Sequence, residues 1–359
     1  YSLRSLTGGD PKVVRVRRDV DNAERDFTAS GISSGALVDF ATSGNGVFAN
    51  TGYESFTNAS ASGFTASNTG STGFAVSDIL DGVSGDAVSV SFDIDITNGS
   101  PTISLRTALS GGSTASNGIV YTTSGSKTAT LTGNKSYAGI GFTEGDAPSN
   151  FTVSNFKVLG NGFVETWYDQ SGNSNDAVQE TAGSQPKIVS AGSLISKGLD
   201  FDGTDDFLQL DAALGATNAQ SIFGVVELDA LDGSNELILD NRDGSGDGSA
   251  YFAASNQFRY LFDSNSPLAQ LSASTDTSLV SAFKTSSDVA IGIDGGTLDT
   301  ASNTDTLSVT TAPRIGSRSF SSGALFFAGE IAELVLYNTD KSADRTAVET
   351  NINSHYSLF

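Results

Sequence analysis

VSVSFDIDI, residues 88–96, decides the fold class. Val88, Val90, Phe92, Ile94 and Ile96 fall on one side of an extended chain, and Ser89, Ser91, Asp93 and Asp95 on the other. Strand side chains alternate with period two, so one apolar row opposite one polar row is a half-buried antiparallel strand. Shorter versions recur at TISLRTAL (102–109), KTATLT (127–132), YAGIGF (137–142) and NFTVSNFKVLG (150–160). Turn clusters divide them at the spacing of a sandwich.

Beyond residue 162 the strand candidates are GLDFDGTDDFLQL (198–210), SIFGVVEL (221–228), NELILDNRDG (235–244), SAYFAA (249–254), QFRYLFD (257–263), SDVAIGIDGG (287–296), APRIGSR (312–318) and GEIAELVLY (329–337). Ile331 to Tyr337 is apolar on both faces apart from Glu333, which predicts a central strand. One helix is expected over 342–356, where Val348, Ile352 and Tyr356 recur at i, i+4 and i+8 and Ser342 or Asp344 is placed to cap. The expected architecture is all-β. A short N-terminal strand segment (1–41) precedes a jelly-roll-like sandwich (42–158), a second sandwich (159–359) and one short C-terminal helix.

Composition narrows the function. Nineteen Lys and Arg against 41 Asp and Glu give a net charge of −22. Such a polyanion repels nucleic-acid phosphate and anionic lipid, so neither nucleic acid nor membrane insertion is expected. No apolar run approaches the length of a membrane span. The chain has no Cys, which removes disulfides and thiol chemistry, and His355 is the only histidine. It also has no Met, so a processed chain or a portion of a longer polypeptide is expected. The absence of oxidisable Met and Cys suits a particle that persists in open water.

The leader carries five cations between Lys12 and Arg25. Val14 and Val16 alternate with Arg15 and Arg17, which reads as a strand. Arg15, Arg17 and Arg18 read either as a solvated strand face or as an assembly face for an acidic neighbour, another part of the same chain included. Segment 11–18 is expected on a sheet of the second sandwich or on a neighbouring subunit.

Three blocks resemble known families. YSLR (1–4) with VRVRRDVDNAERDF (14–27) resembles the start of a module in tail-fibre and virion proteins of marine phages, and the same opening occurs in the catalytic domain of α-L-arabinofuranosidase B. TWYDQSGNSNDAVQ (166–179) resembles the second block of both groups. LDFDGTDDFLQL (199–210) and GEIAELVLYNTDKSADRTAVETNINSHY (329–356) resemble the first and last blocks of laminin-G/concanavalin-like sandwiches. The 42–158 unit then looks like an insertion, similar in pattern to jelly-roll carbohydrate-binding modules. No catalytic residue is carried over, because residues 220–330 depart from the arabinofuranosidase pattern and follow the lectin-like one.

Two stretches are candidate sites. Trp167, Tyr168, Asp169 and Gln170 read as a sugar-stacking aromatic pair beside a polar turn; the plainer reading is one ring in the core and a self-bonded turn. Asp240, Asn241, Asp243 and Asp247 cluster hard oxygen ligands around glycines, so Ca²⁺ is the ion expected if a metal binds, against ordinary Asp/Gly turns. DGTDD (202–206) offers a similar set, although Asp205 and Asp206 lie where the resemblance implies a structural acidic pair. Sequons at Asn58, Asn98, Asn134 and Asn150 arise readily by chance in such a composition.

The function expected is a non-enzymatic virion appendage, a fibre or decoration protein that meets other virion subunits or its own copies and attaches to cell-surface glycan. Its place would be the virion surface or the extracellular space. A secreted lectin or adhesin is the alternative, and a glycoside hydrolase of the arabinofuranosidase type a further one.

Overall fold

The computed structural model describes all residues except 43–46, 52, 54, 69–72, 78–86, 109–117, 133–138, 146–147, 215–216, 244–247, 264–267, 308–310 and 321–324. The chain is almost entirely antiparallel sheet, arranged as two sandwiches. In the first, Gly125–Thr132, Ala87–Asn98, Ser149–Val158, Gly63–Asn68 and Ser55–Ser60 pair in that order. Ala49–Asn50, Gly73–Ser77, Gly139–Glu144, Ile103–Ala108 and Ile119–Tyr121 make the facing sheet. Val88, Val90, Phe92 and Ile94 are buried, the row predicted from 88–96. Phe142 packs in the same core against Phe48, Phe64, Phe92 and Phe156.

In the second sandwich one layer follows an unbroken path of ladders. It runs Glu24–Thr28, Lys12–Arg18, Gly162–Trp167, Lys187–Ser190, Leu199–Asp202, Ala328–Tyr337, Gln220–Leu228, Ser278–Lys284, Asp288–Ile293 and Asp299–Ser302. The facing layer holds Ala177–Val178, Leu208–Leu210, Arg314–Ile315, Glu236–Asp240, Ser249–Ala254, Gln257–Phe262 and Ala269–Ser272. Ile222, Val226, Ile331 and Leu334 meet Tyr251, Phe258 and Tyr260 between the layers. The alternate residues Phe223, Val225 and Ala332 face outward and are covered by Ile352 of the helix Arg345–Tyr356. Ala328–Tyr337 is therefore apolar on both faces because a sheet lies on one side and a helix on the other.

The leader is more than a strand segment. Helices Ala29–Ser33 and Ala36–Thr42 follow its two strands, so the C-terminal helix is not alone. Thr28 accepts a hydrogen bond from Gly31 N and caps the first, and Ile32, Leu37 and Ala41 are buried. Neither expected cap of the C-terminal helix acts by its side chain. Asp344 makes no capping bond and pairs with Lys341 instead.

Two of the three assembly arginines are consumed inside the chain. Arg17 is 9% exposed and donates to Gln185, Asn22 and the Ala182 carbonyl; Arg18 is 4% exposed and holds Asp21 and the Phe40 carbonyl. Guanidiniums this buried, bonded at all three nitrogens, leave no face for a neighbouring subunit, and the acidic partner of Arg18 is Asp21 of the same chain. Arg15, 40% exposed at its side chain, pairs with Asp26.

Gly198 opens the strand that reaches Ile331. Its φ is +130°, and a Cβ there would lie 2.3 Å from the Ile331 carbonyl oxygen. Gly198→Ala is therefore expected to weaken the Leu199–Asp202 ladder and to lower unfolding free energy by roughly 1–3 kcal/mol, read from denaturant titration.

Candidate functional site

The site begins at Glu333, the buried one of the two glutamates in the central strand. It is fully buried. Ser2 Oγ donates to its Oε2 at 2.9 Å, Arg4 Nε to Oε2 at 2.7 Å and Arg4 Nη2 to Oε1 at 2.9 Å. Tyr356 OH reaches the same Oε2 at 3.3 Å. Arg4 Nη2 also donates to Asn351 Oδ1. One carboxylate thus ties the YSLR segment to the middle of the sheet and to the C-terminal helix.

The YDQSG block holds the leader from its other side. Gln170 is 8% exposed; its Nε2 donates to the carbonyls of Ser2 and Arg4, and its Oε1 accepts from Leu6 N. Asp169 accepts from Ser171 N and Asn175 N and closes the turn, as the side-chain chemistry of Asp predicts. The Tyr1 ring packs on Trp167 at a 52° tilt, with centroids 5.8 Å apart, and its hydroxyl donates to the Asn175 carbonyl.

These contacts leave a cavity of about 600 Å³ beside the leader. Its walls come from the leader loop (Leu3, Arg4, Ser5, Asp10), helix Ala29–Ser33 (Ser30, Ile32), the turn at Leu194–Ser196, and His355 with Tyr356. Leu3, Ile32, Leu194 and Ile195 make it largely apolar. Asp10 accepts from both Ser30 N and Ser30 Oγ. Ser5 Oγ is buried and has no partner. Burial first, then Arg4, lowers the pKa of His355, so its imidazole is neutral at pH 7 and offers one donor and one acceptor. An apolar wall with a few directed polar groups, in this range of volume, is the construction of a small-ligand site.

The predicted residues are placed as follows. Trp167 is 0% exposed, so no sugar can stack on it. Tyr168 is half-buried; its hydroxyl donates to Asp26 at 2.8 Å within the Arg15 and Lys12 ion pairs. None of Trp167, Tyr168, Asp169 and Gln170 lines the cavity. Gln170 acts on it indirectly, by fixing the leader that forms one wall. The calcium set also changes meaning. Asp240 is fully buried and engaged by Arg242 and Ser319 N, and Asn241 Oδ1 accepts from Ser249 N and Oγ. A cation there would displace guanidinium. Asp243 is half-buried, and Asp247 lies outside the described residues.

Among the described residues, the carboxylates close enough to share a cation are those of Asp202, Asp205 and Asp206, with one oxygen from each lying within 4.8 Å of the others. Loop N–H groups already occupy Asp202 Oδ1 and Asp206 Oδ2. Burial, then Asp202 and Asp205, pushes the Asp206 pKa up to about 7.

No family model matches the sequence, and no curated protein does. Among solved structures, the heptameric SAP-like pentraxin from Limulus polyphemus aligns over 41% of this chain and 78% of its own, at 12% identity and TM-score 0.35. Mouse laminin alpha1 domains LG4-5 align over 77% and 85%, at 11% identity and TM-score 0.32. Trypanosoma rangeli sialidase in complex with sialic acid aligns over 51% of this chain and 30% of its own, at 18% identity and TM-score 0.38. Likenesses this distant carry no functional argument, and the sandwich assignment stands on the strand pairing.

Two outcomes follow. Gln170→Ala strips partners from two leader carbonyls and the Leu6 amide; a cost of about 1–3 kcal/mol is expected, with faster amide exchange at Leu6. For Asp206 the folded pKa lies above the unfolded value, so its stabilisation is complete below about pH 4 and lost as pH rises towards 7. Asp206→Asn is expected to flatten that part of the stability–pH curve, measured by thermal unfolding at pH 4, 5.5 and 7.

Proposed function

We propose that the chain is a non-catalytic glycan-binding protein, displayed outside the cell or on a virion, that takes a saccharide unit into the leader cavity. The cavity carries this reading: an apolar wall suits the C–H face of a sugar, and Asp10, His355 and the Tyr356 hydroxyl supply the directional contacts. Asp10 is the one carboxylate among the lining residues, whereas hydrolysis by the usual route needs two, one on each side of the scissile bond. That favours retention of sugar over its cleavage. Display on a phage appendage rests on the resemblance of the YSLR and YDQSG blocks to tail-fibre and virion proteins. Affinity per site would be modest, and copies arrayed on one particle would sum it.

Glycan-array retention, followed by calorimetry on the best hit, tests the reading. Leu194 lines the cavity and is 36% exposed, so Leu194→Trp fills the space without disturbing the core. Wild type is expected to bind, Leu194→Trp to lose at least about tenfold in affinity at unchanged melting temperature, and neither to release reducing sugar. Absence of any glycan hit, or equal binding by the variant, refutes the cavity assignment. Mass spectrometry of purified particles tests the place of display: the chain found only as free monomer excludes the virion.

A further inference from the structure

We propose that Arg242, Arg314 and Arg318 form a second binding site, for an anionic group of a saccharide: a uronate carboxylate or a sulfate ester. None of the three lines the leader cavity, so this site is separate from it. They surround the end of the Glu236–Asp240 strand, where the sequence suggested a cation site.

Three features of the cluster point to an anion. The first is excess positive charge in a chain whose net charge is −22. Asp240 lies among the three arginines, and its oxygens are already taken: Oδ1 by Arg242 Nε at 2.7 Å, and Oδ2 by Ser319 N at 3.0 Å and Arg242 Nη2 at 3.4 Å. Among the described residues, neither Arg314 nor Arg318 has an ion pair.

The second is unspent donors. Arg314 gives Nε to Gln209 at 2.9 Å and Nη1 to the Arg318 carbonyl at 3.2 Å. Arg318 has a buried Nε with no partner. That nitrogen is shut off from solvent, but Arg318 Nη1 and Nη2 also hold no hydrogen bond among the described residues and are not buried, so they are the donors an incoming oxyanion would meet.

The third is preorganisation. The Arg242 and Arg318 guanidinium carbons lie 5.7 and 5.2 Å from the Phe320 centroid, and Arg314 lies 4.4 Å over Phe207. Stacking holds a guanidinium plane while leaving its N–H edge free, and that edge matches carboxylate and sulfate oxygens in pairs. The backbone is equally fixed, because Arg314 pairs with Gln209 on one side and Asp240 on the other. The remote acidic surface does not oppose binding in physiological salt, where charge is screened beyond about 8 Å.

The test compares polygalacturonate, dextran sulfate and neutral dextran by biolayer interferometry at 150 mM salt, with wild type, Arg318→Gln and Arg318→Lys. The Arg318 side chain makes no hydrogen bond among the described residues, and its bonded carbonyl is kept by any substitution, so both variants are expected to melt with wild type. Binding of one or both polyanions, none of dextran, and a loss of about tenfold or more in Arg318→Gln support the site; which polyanion binds identifies carboxylate or sulfate. Failure of Lys to restore binding supports paired recognition. Equal binding by wild type and Arg318→Gln overturns the proposal. So does sedimentation showing self-association that Arg318→Gln abolishes without any polyanion binding, which would make the cluster a contact for the acidic surface of another copy.

Discussion

A carboxylate buried in the middle of a sheet is tolerable only if its charge is met. Glu333 is met by Arg4 in two-point fashion, with Ser2 and Tyr356 completing its shell. Removing the leader would leave that charge without compensation, at a cost of several kcal/mol. The first residues of the chain are thus bound to a strand more than three hundred positions away, and the pairing of Lys12–Arg18 with Gly162–Trp167 extends the same dependence. The leader is part of the second sandwich in an energetic sense, whatever its position in sequence.

The cavity is a by-product of how that attachment is made. Gln170 anchors the leader through backbone groups, which holds the path of the chain while leaving Leu3 to line the space beside helix Ala29–Ser33. A shared sequence block here marks a clamp, and the surface available to a ligand lies on what the clamp holds.

The two acidic stretches behave oppositely. At 202–206 the carboxylates crowd together, and burial, with the neighbouring charges adding to it, raises the pKa of Asp206. At 240–243 the chain brings Arg314 and Arg318 from a distant strand and loop, and the surroundings of Asp240 become cationic. Aspartate-rich loops read alike in one dimension, and their chemistry depends on which strand end lies alongside.

Period two determined most of the fold. The apolar rows at 88–96 and 329–337 are in the cores where alternation places them, because a pleated strand converts sequence parity directly into facing. The conspicuous Glu333 and the YSLR and YDQSG blocks were legible as residues, while their mutual contact was not. Parity says nothing about which strands become neighbours, and hydrogen bonds between residues 2, 4, 170 and 333 depend on that pairing alone. For the same reason Trp167 could be placed on a strand but not assigned a face, and the leader helices, too short for a helical period, left no pattern. The cavity and the arginine cluster belong to the tertiary structure entirely: each gathers side chains from segments far apart in the chain, and only packing sets their distances.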